Sequence, residues 1–439
     1  MERKNGTNSN GAPKKLKFLF VSIEALIGDL AWQVKKEGHE VRYYIHEKSE
    51  RDVCDGFVDK CDDWQKDIDW ADVIVFDDLG FGAQADKLRK QGKLVVGGSV
   101  YTDKLEDDRE FGQNEMKDVG MTIIPNDNFT NFDEAIKFVK ENPGRYVLKP
   151  SGKAQNEKEL LFVGNEEDGR DILEILERYK KNWGNKIKIF QLQKHVTGVE
   201  VAVGAFFNGK NFVMPININF EHKRLFPGNI GPSTGEMGTS MFWAKQNNLF
   251  MATLEKIKPK LQASGYVGYF DINTIVNNKG IYPLEATSRF GYPTINIQME
   301  GILSPLGDFL YNLASGKDFE FKTKRGFQVG VVIAAPPFPF KDTASFKRYS
   351  EDALIIFQKA NYDGAHIADI KLIENDWRLA GTSGYALIMT GSGLTMEEAR
   401  KQAYARVKNI LIPNMFYRTD IGANWTQDSD MLQTWGYLY

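Results

Sequence analysis

The first regular pattern in the chain is Leu16–Ile23 (LKFLFVSI), a short unbroken apolar run of the kind that fills a strand buried on both faces. A helical stretch over Glu24–Glu37 follows, with Gly38 as its stop signal, and a second strand is predicted at Glu40–Ile45. Two further strands, Asp72–Phe76 and Lys93–Val96, flank a helix around Gln84–Gln91. Strands alternating with helices predict a parallel α/β unit of about one hundred residues. From Leu105 to about Asp318 the pattern changes to helices mixed with antiparallel strands. A helix over Asn131–Glu141 leads to strands at Arg145–Pro150, Lys186–Gln193, Glu200–Phe207, Phe212–Asn219, Phe270–Asn277 and Ile281–Glu285. A third unit opens near Gly326 with Val329–Ala334 and closes with a helix over Thr395–Asn409.

These patterns divide the chain into a tail (1–15), an N-terminal α/β domain (16–104), a central domain (105–322), a C-terminal domain (323–424) and a closing tail (425–439). A chain of 439 residues is too long for one ordinary core, so several packed units are expected. The formal net charge of −3 provides no bulk field to recruit nucleic acid or an anionic membrane. No apolar run approaches the ~18–20 residues that a membrane span needs. Met1–Lys15 is polar and basic without a following apolar core, which reads as a disordered tail and not a signal peptide. Cys54 and Cys61 are the only cysteines, which excludes a disulfide framework, argues against a structural zinc site and fits a reducing, cytoplasmic setting.

Three stretches carry candidate chemistry. In Gly268–Asn273 (GYFDIN) and Leu284–Pro293 (LEATSRFGYP), neighbouring strands end in carboxylates. A magnesium–triphosphate site needs this, because Mg²⁺ prefers hard oxygens and takes only one or two from the protein. Glu285 is the stronger ligand candidate and Asp271 or Asn273 the weaker. On spacing alone, an exposed strand end with Arg289 as its surface partner explains the same residues equally well. Glu221–Gly238 (EHKRLFPGNIGPSTGEMG) sets a basic triplet, His222, Lys223 and Arg224, before a loop rich in Gly, Ser and Thr. Such a loop offers N–H groups and hydroxyls to phosphate or carboxylate oxygens, and its structural alternative is a long surface turn. Tyr146–Pro150 (YVLKP) is an apolar strand whose Lys149 can reach a phosphate or simply be solvated. Ser151–Leu160 after it reads as a polar hinge able to close over nucleotide phosphates.

Taken in order, these pieces resemble the phosphoribosylamine–glycine ligases of the ATP-grasp superfamily. That family carries HKR, then GPNTGGMG, then E-x-N-x-RFGDPE; this chain has His222-Lys223-Arg224, GPSTGEMG at Gly231–Gly238, and EATSRFGYPT at Glu285–Thr294. Tyr417–Gly422 (YRTDIG) is similar to the family's closing Y-R-x-DIG, and the resemblance runs from about Leu16 to about Gly422. It implies an ATP-grasp fold, α/β and α+β, with an N-terminal parallel α/β domain and a C-terminal mixed domain. It implies ATP with Mg²⁺ (or Mn²⁺) as cofactors and small-molecule carboxylate and amine substrates, with neither nucleic acid nor membrane as partner, in a monomer or homodimer. The implied reaction passes through an acyl phosphate, joining glycine to 5-phosphoribosylamine in purine biosynthesis. Carried across by position, Glu285, Thr287 and Asp271 look like the metal site. Lys149 and Arg109 look like nucleotide cations, Gln191, Leu192, Gln193 and Val196 like the adenine hinge, and Glu200 like the ribose ligand. Arg289, Lys223 and Arg224 are the implied catalytic cations, and His222, Ser233, Thr234 and Gly235 the implied substrate contacts.

The departures bear on the acceptor. Thr287 replaces the family's second metal ligand, an asparagine, and Tyr292 and Thr294 replace two acidic residues of FGDPE. The family's Gly-Lys-Gly after the phosphate lysine is missing, and Ile23-Glu24-Ala25-Leu26-Ile27 replaces its Gly-Gly-Arg-Glu-His. The family reaction stays the leading expectation, because the motif match outweighs two substitutions; beside it stands the hypothesis that ATP is bound normally while 5-phosphoribosylamine and glycine are a poor pair. The alternatives are a ligase for another amine or acid, or a nucleotide-binding paralogue without catalysis.

Overall fold

The computed structural model describes residues 15–151 and 160–439. All but the last residue of the expected N-terminal tail, and most of the hinge expected over Ser151–Leu160, lie outside the described residues. The N-terminal unit is a parallel four-stranded sheet in the order Glu40–Ile45, Lys17–Ser22, Val73–Phe76, Leu94–Val96. Helices Gly28–Lys36 and Gly82–Lys90 make the crossovers. The first helix begins later than the pattern predicts, because residues 23–27 turn sharply, with Ala25 at φ 69°. The strand order reverses between Lys17–Ser22 and Val73–Phe76, the place where open parallel sheets bind ligands beyond their carboxyl ends. Ser22 and Asp77 sit there.

The central unit holds two antiparallel sheets. The smaller has the order Asn126–Phe129, Phe190–Lys194, Tyr146–Pro150, Phe162–Val163. Helices Phe132–Glu141 and Arg170–Trp183 cover one of its faces with Ile136, Val139, Ile172 and Leu176, packed on Leu148, Phe190 and Leu192. The strand predicted from Lys186 starts only at Phe190, since the amides of Lys186 and Ile187 close a turn onto Trp183 O. The larger sheet has eight strands in the order Gly280–Thr287, Gly268–Asn277, Val199–Phe207, Ile216–Glu221, Gly238–Ala244, Phe327–Ala334, Tyr385–Gly393, Ala365–Ile367. The last three come from beyond residue 323, so the long strands of the third unit extend the central sheet. The strand predicted over Phe212–Asn219 begins at Ile216, after Pro215, which has no N–H for the ladder.

Residues 425–439, expected as a tail, instead form a helix, Trp425–Thr434, followed by a docked end. Trp425 packs its ring on Phe220, Phe242 and Phe327 at 5.5, 5.4 and 4.9 Å, and Leu432 is fully buried. The Tyr437 hydroxyl donates to Asn277 O at 3.1 Å. Apolar side chains at helical spacing cover the sheet's core face, and that burial outweighs the cost of ordering a chain end. Among the described residues no helix is long and apolar enough to cross a membrane.

The N-terminal unit is fastened to the central sheet by Asp29, buried on the first helix. Its carboxylate accepts from His366 Nδ1 at 2.6 Å, Asn296 Nδ2 at 3.0 Å and Gln33 Nε2 at 3.0 Å. Burial alone would raise its pKa, but the charge of His366 and these hydrogen bonds outweigh it and hold the carboxyl below its ordinary value. Asp29→Ala is expected to cost about 3 kcal/mol, because it leaves buried donors unpaired. The depressed pKa means that the contribution is present above the ordinary aspartate range and is lost as pH falls through the folded value. Chemical denaturation of both proteins at pH 7 and at pH 3 checks this: the difference should narrow in acid, and equal stabilities at pH 7 would show that the contact is dispensable.

Candidate active site

Side chains of a strand alternate between the two faces of its sheet, and this sorts the central sheet's residues. Val199, Val201 and Val203 join Ile216, Ile218, Phe270 and Ile272 in the core beneath the sheet. Glu200, Ala202 and Gly204 take the other face. Cross-strand pairing then fixes their neighbours: Asn273 lies opposite both Ala202 and Glu285, Asp271 opposite both Gly204 and Thr287, and Asn219 opposite Ala202. A polar strip of Glu200, Glu285, Asn273, Asp271 and Asn219 results. In the smaller sheet, Lys149 pairs with Gln191, which pairs with Asn128, and Gln193 pairs with Asn126. These residues form the face away from the helices. Gln191 Nε2 donates to Gln113, Asn126 and Asn128, while the buried Gln193 Nε2 has no partner. Leu192 points the other way, into the small sheet's apolar core, and Val196 lies in the connection after the strand, half-buried.

The two polar faces share charge. Lys223 Nζ lies 2.9 Å from Glu200, 3.1 Å from Glu221 and 3.8 Å from Glu285. Burial opposes its charge, but the three carboxylates outweigh this and hold its pKa well above the ordinary lysine value. Lys149 is only 8% exposed. Burial first, then the neighbouring Arg109 cation, push it down to about 7, against the pull of Glu285 and Glu200. The Arg109 Nε is buried without a hydrogen-bond partner, and burial lowers its pKa against the attraction of Glu285. Two desolvated cations with incomplete pairing are the environment that an oligophosphate completes.

Glu285 is half-exposed, at the end of its strand. Its cross-strand neighbour Asn273 donates its Nδ2 to Glu221 at 2.9 Å and leaves its buried Oδ1 without a donor. Thr287 is tied to Asp271 by its side chain, whereas Asp271 Oδ1 is also unpartnered. Glu285 with the orphaned oxygens of Asn273 and Asp271 is a hard-oxygen set of the kind Mg²⁺ takes when phosphates complete its octahedron. Among the described residues no three His, Cys, Asp or Glu side chains enclose a metal by themselves. Arg289 Nε reaches Glu106 at 3.2 Å and Asp78 at 3.6 Å, and these anions overcome burial and raise its pKa.

The basic triplet divides by the same alternation. Lys223 shares the cleft side with Glu221, two residues earlier. His222 and Arg224 lie on the opposite side, toward the buried Arg418, which pairs with Asp420 at 2.7 Å and donates to Arg224 O at 2.9 Å. His222 is pushed down to about 4 by burial and by Arg418, so it is neutral near pH 7. Arg224 donates to Gly231 O within the hairpin Arg224–Phe226 and Ile230–Ser233. Ser233 ends that hairpin, and Thr234 bonds Lys223 O through both its N–H and its hydroxyl, at 2.7 and 2.9 Å. Gly235 faces open space. Sequence reasoning missed Glu106, Glu221 and Glu236. Glu221 opens the very motif that was read, and its signal was its two-residue spacing from Lys223. Glu236 stands where the family motif GPNTGGMG has a glycine.

Comparison with known proteins identifies the family and the fold. The model of the phosphoribosylglycinamide synthetase ATP-grasp (A) domain matches residues 107–295, and that of the C domain matches residues 328–424. Phosphoribosylamine–glycine ligase of Streptococcus pneumoniae is 25% identical over 371 residues, covering 81% of this chain and 84% of that protein. The enzyme of the same name from Clostridium acetobutylicum is 26% identical over 351 residues, 76% of this chain and 80% of that one. Among solved structures, phosphoribosylamine–glycine ligase of Thermotoga maritima superposes with a TM-score of 0.69 at 23% identity, over 92% of this chain and 100% of that one. The ATP-analogue complex of Campylobacter jejuni biotin carboxylase gives 0.62 at 13% identity, over 96% and 97%. The ADP complex of N5-carboxyaminoimidazole synthetase from Staphylococcus aureus gives 0.57 at 14%, over 90% and 97%. The chain thus belongs to the phosphoribosylglycinamide synthetase family of ATP-grasp enzymes, the C–N bond-forming ligases whose two domain models together span more than half of it.

Proposed function

We propose that the chain joins a carboxylic acid to an amine by way of an acyl phosphate made from ATP, with the nucleotide lying between the two polar sheet faces. The observation that carries this reading is the pair of buried, under-partnered cations, Lys149 and Arg109, opposite the Glu285–Asn273 strip. Gln193, with its unpartnered amide, and the chain through Val196 would receive the adenine. Glu200 is engaged by Lys223, and a ribose hydroxyl could share its second oxygen. Glu285, with Asn273 and Asp271, would hold Mg²⁺, which supplies charge neutralisation across the phosphates. The γ-phosphoryl group passes to a carboxylate oxygen and ADP leaves; the amine then attacks the acyl carbon, phosphate departs, and the amine's proton is lost. Lys149, Arg109 and Lys223 stabilise the charge spread over the moving phosphoryl group. The hairpin from Arg224 to Ser233 and the loop to Gly238 follow directly on Lys223 and would keep water from the acyl phosphate. The relatives' names supply the reference pair, glycine and phosphoribosylamine, and with that pair the reaction is a step of purine biosynthesis in the cytoplasm.

Lys149→Ala is expected to weaken ATP binding on the order of 10- to 100-fold, the usual cost of removing one partner of a buried charge-assisted bond. Because burial and the Arg109 cation push Lys149 down to about 7, wild-type affinity should fall as pH rises through that value. Lys149→Met should lose this dependence. Calorimetric titration between pH 6 and 8 checks both, and unchanged affinity would reduce Lys149 to a strand-end lysine. Glu285→Gln keeps shape and deletes charge, so Mg²⁺-dependent turnover should drop on the order of a hundredfold with the fold intact. A variant as active as the parent would place the metal elsewhere.

A further inference from the structure

The hairpin that follows Lys223 is too small to hold its own shape. Its strands, Arg224–Phe226 and Ile230–Ser233, have three and four residues, and an irregular register between Arg224 and Phe226 interrupts their pairing. A lone two-stranded hairpin is marginally stable at best in water. Apolar burial adds little: Leu225 is buried, but Phe226 and Ile230 are 48% and 64% exposed. In the turn, Gly228 and Asn229 both take the left-handed conformation, at φ 76° and 56°.

What fastens this hairpin comes from the other end of the chain. Arg418 is completely buried, and its guanidinium forks onto Asp420, Nε on one carboxylate oxygen at 2.8 Å and Nη2 on the other at 2.7 Å. Such a pair fixes geometry as well as charge. The groups it has left over go to the hairpin. Arg418 Nη1 donates to Arg224 O at 2.9 Å and to Asn229 Oδ1 at 3.0 Å, and Asp420 Oδ2 accepts from the Gly228 N–H at 2.9 Å. The start of the first strand and the turn are therefore held at once.

The mount for this pair is itself fixed. Arg418 O accepts from the Tyr404 hydroxyl at 2.9 Å, and the Ile421 N–H donates to the same hydroxyl at 3.0 Å. Arg400 Nε donates to Ile421 O at 2.8 Å. Both side chains belong to the helix Met396–Val407. Phe416 exchanges backbone hydrogen bonds with Ala334, the last residue of a strand in the eight-stranded sheet, at 2.8 and 3.0 Å. The pair and the cleft strands are thus anchored on one sheet. At its other end the hairpin runs into the cleft: Thr234 bonds Lys223 O twice, and Lys223 Nζ stands among Glu200, Glu221 and Glu285. Whatever fixes the Arg224 carbonyl fixes the residue beside Lys223.

We propose that Arg418 and Asp420 are positioning residues of the ligase, a latch that holds the hairpin in place and Lys223 beside Glu285, so that the acyl phosphate meets its acceptor before water. The shielding role rests on the ligase reading above, whereas the latch stands on the contacts themselves. Without it, water would add at the acyl carbon, phosphate would leave and the free acid would return, so ADP would be released without product.

Two substitutions in the full chain test this. Asn229→Gly keeps the left-handed turn and removes one acceptor of Arg418, from a side chain that is exposed. Asp420→Asn leaves the hairpin's own sequence intact, so agreement between the two separates loss of the latch from the looseness of an added glycine. Hydrogen–deuterium exchange over residues 224–234 should quicken about tenfold or more in both, with the strand Val199–Phe207 unchanged. With ATP, Mg²⁺, glycine and hydroxylamine, the hydroxamate formed per ADP should fall about threefold or more in both. Calorimetric ADP affinity equal to that of the wild type shows that each variant is folded. Should Asp420→Asn lose it, Asn229→Gly decides alone. Wild-type exchange in a folded variant, or faster exchange with an unchanged hydroxamate-to-ADP ratio, would overturn the proposal. If the wild type forms no hydroxamate, the ligase reading falls and the shielding role with it, while exchange still decides whether Arg418 and Asp420 hold the hairpin.

Discussion

An antiparallel sheet that buries one face obliges every second residue to appear on the other. In the central sheet the buried face is fixed by Val199, Val201, Val203, Phe270 and Ile272, and the rest of the site depends on this. Once those side chains are committed to the core, Glu200, Asp271, Asn273 and Glu285 have only the opposite face available, and the ladder spaces them a few ångströms apart. A one-residue slip of any of these strands would drive carboxylates into the core and valines into the cleft. Register therefore protects stability and chemistry together.

Gathering carboxylates on one face has an electrostatic cost, and the cations are placed against it. Lys223 stands among Glu200, Glu221 and Glu285, so these acidic groups do not repel one another unopposed. Arg289 does the same for Glu106 and Asp78. Lys149 and Arg109 are different: each is buried and incompletely paired, and the same desolvation that makes their charges costly would strengthen their hold on a phosphate. The contrast between the well-paired cations and these two is what the proposed nucleotide site rests on.

Much of the fold was legible because its elements obey simple periods. Strands such as Glu40–Ile45 and the helix ending at Glu141 lie where the pattern put them. The helix Trp425–Thr434 was not, since its apolar residues are few and their partners, Phe220, Phe242 and Phe327, are distant in sequence. In the site, Lys149, Lys223 and Glu285 were readable from motifs, but the triplet His222-Lys223-Arg224 was read as a unit, whereas strand alternation sends only its middle member into the cleft. Glu106 was invisible because nothing local to a helix announces that Arg289, far along the chain, will lie 3.2 Å away. Asp77 and Asp78 belong to no motif, and their placement beside Ser22 and Arg289 came only with the fold.

The central claim is that this cleft transfers the γ-phosphoryl group of ATP to a carboxylate before any amine is involved. Trapping with hydroxylamine tests that step alone, because hydroxylamine intercepts an acyl phosphate whatever the natural acceptor. With glycine, ATP and Mg²⁺, the account predicts a hydroxamate that forms in proportion to ADP and disappears when the acid, the nucleotide or Glu285 is removed. ADP release with no hydroxamate from glycine or any other amino acid tried would contradict it.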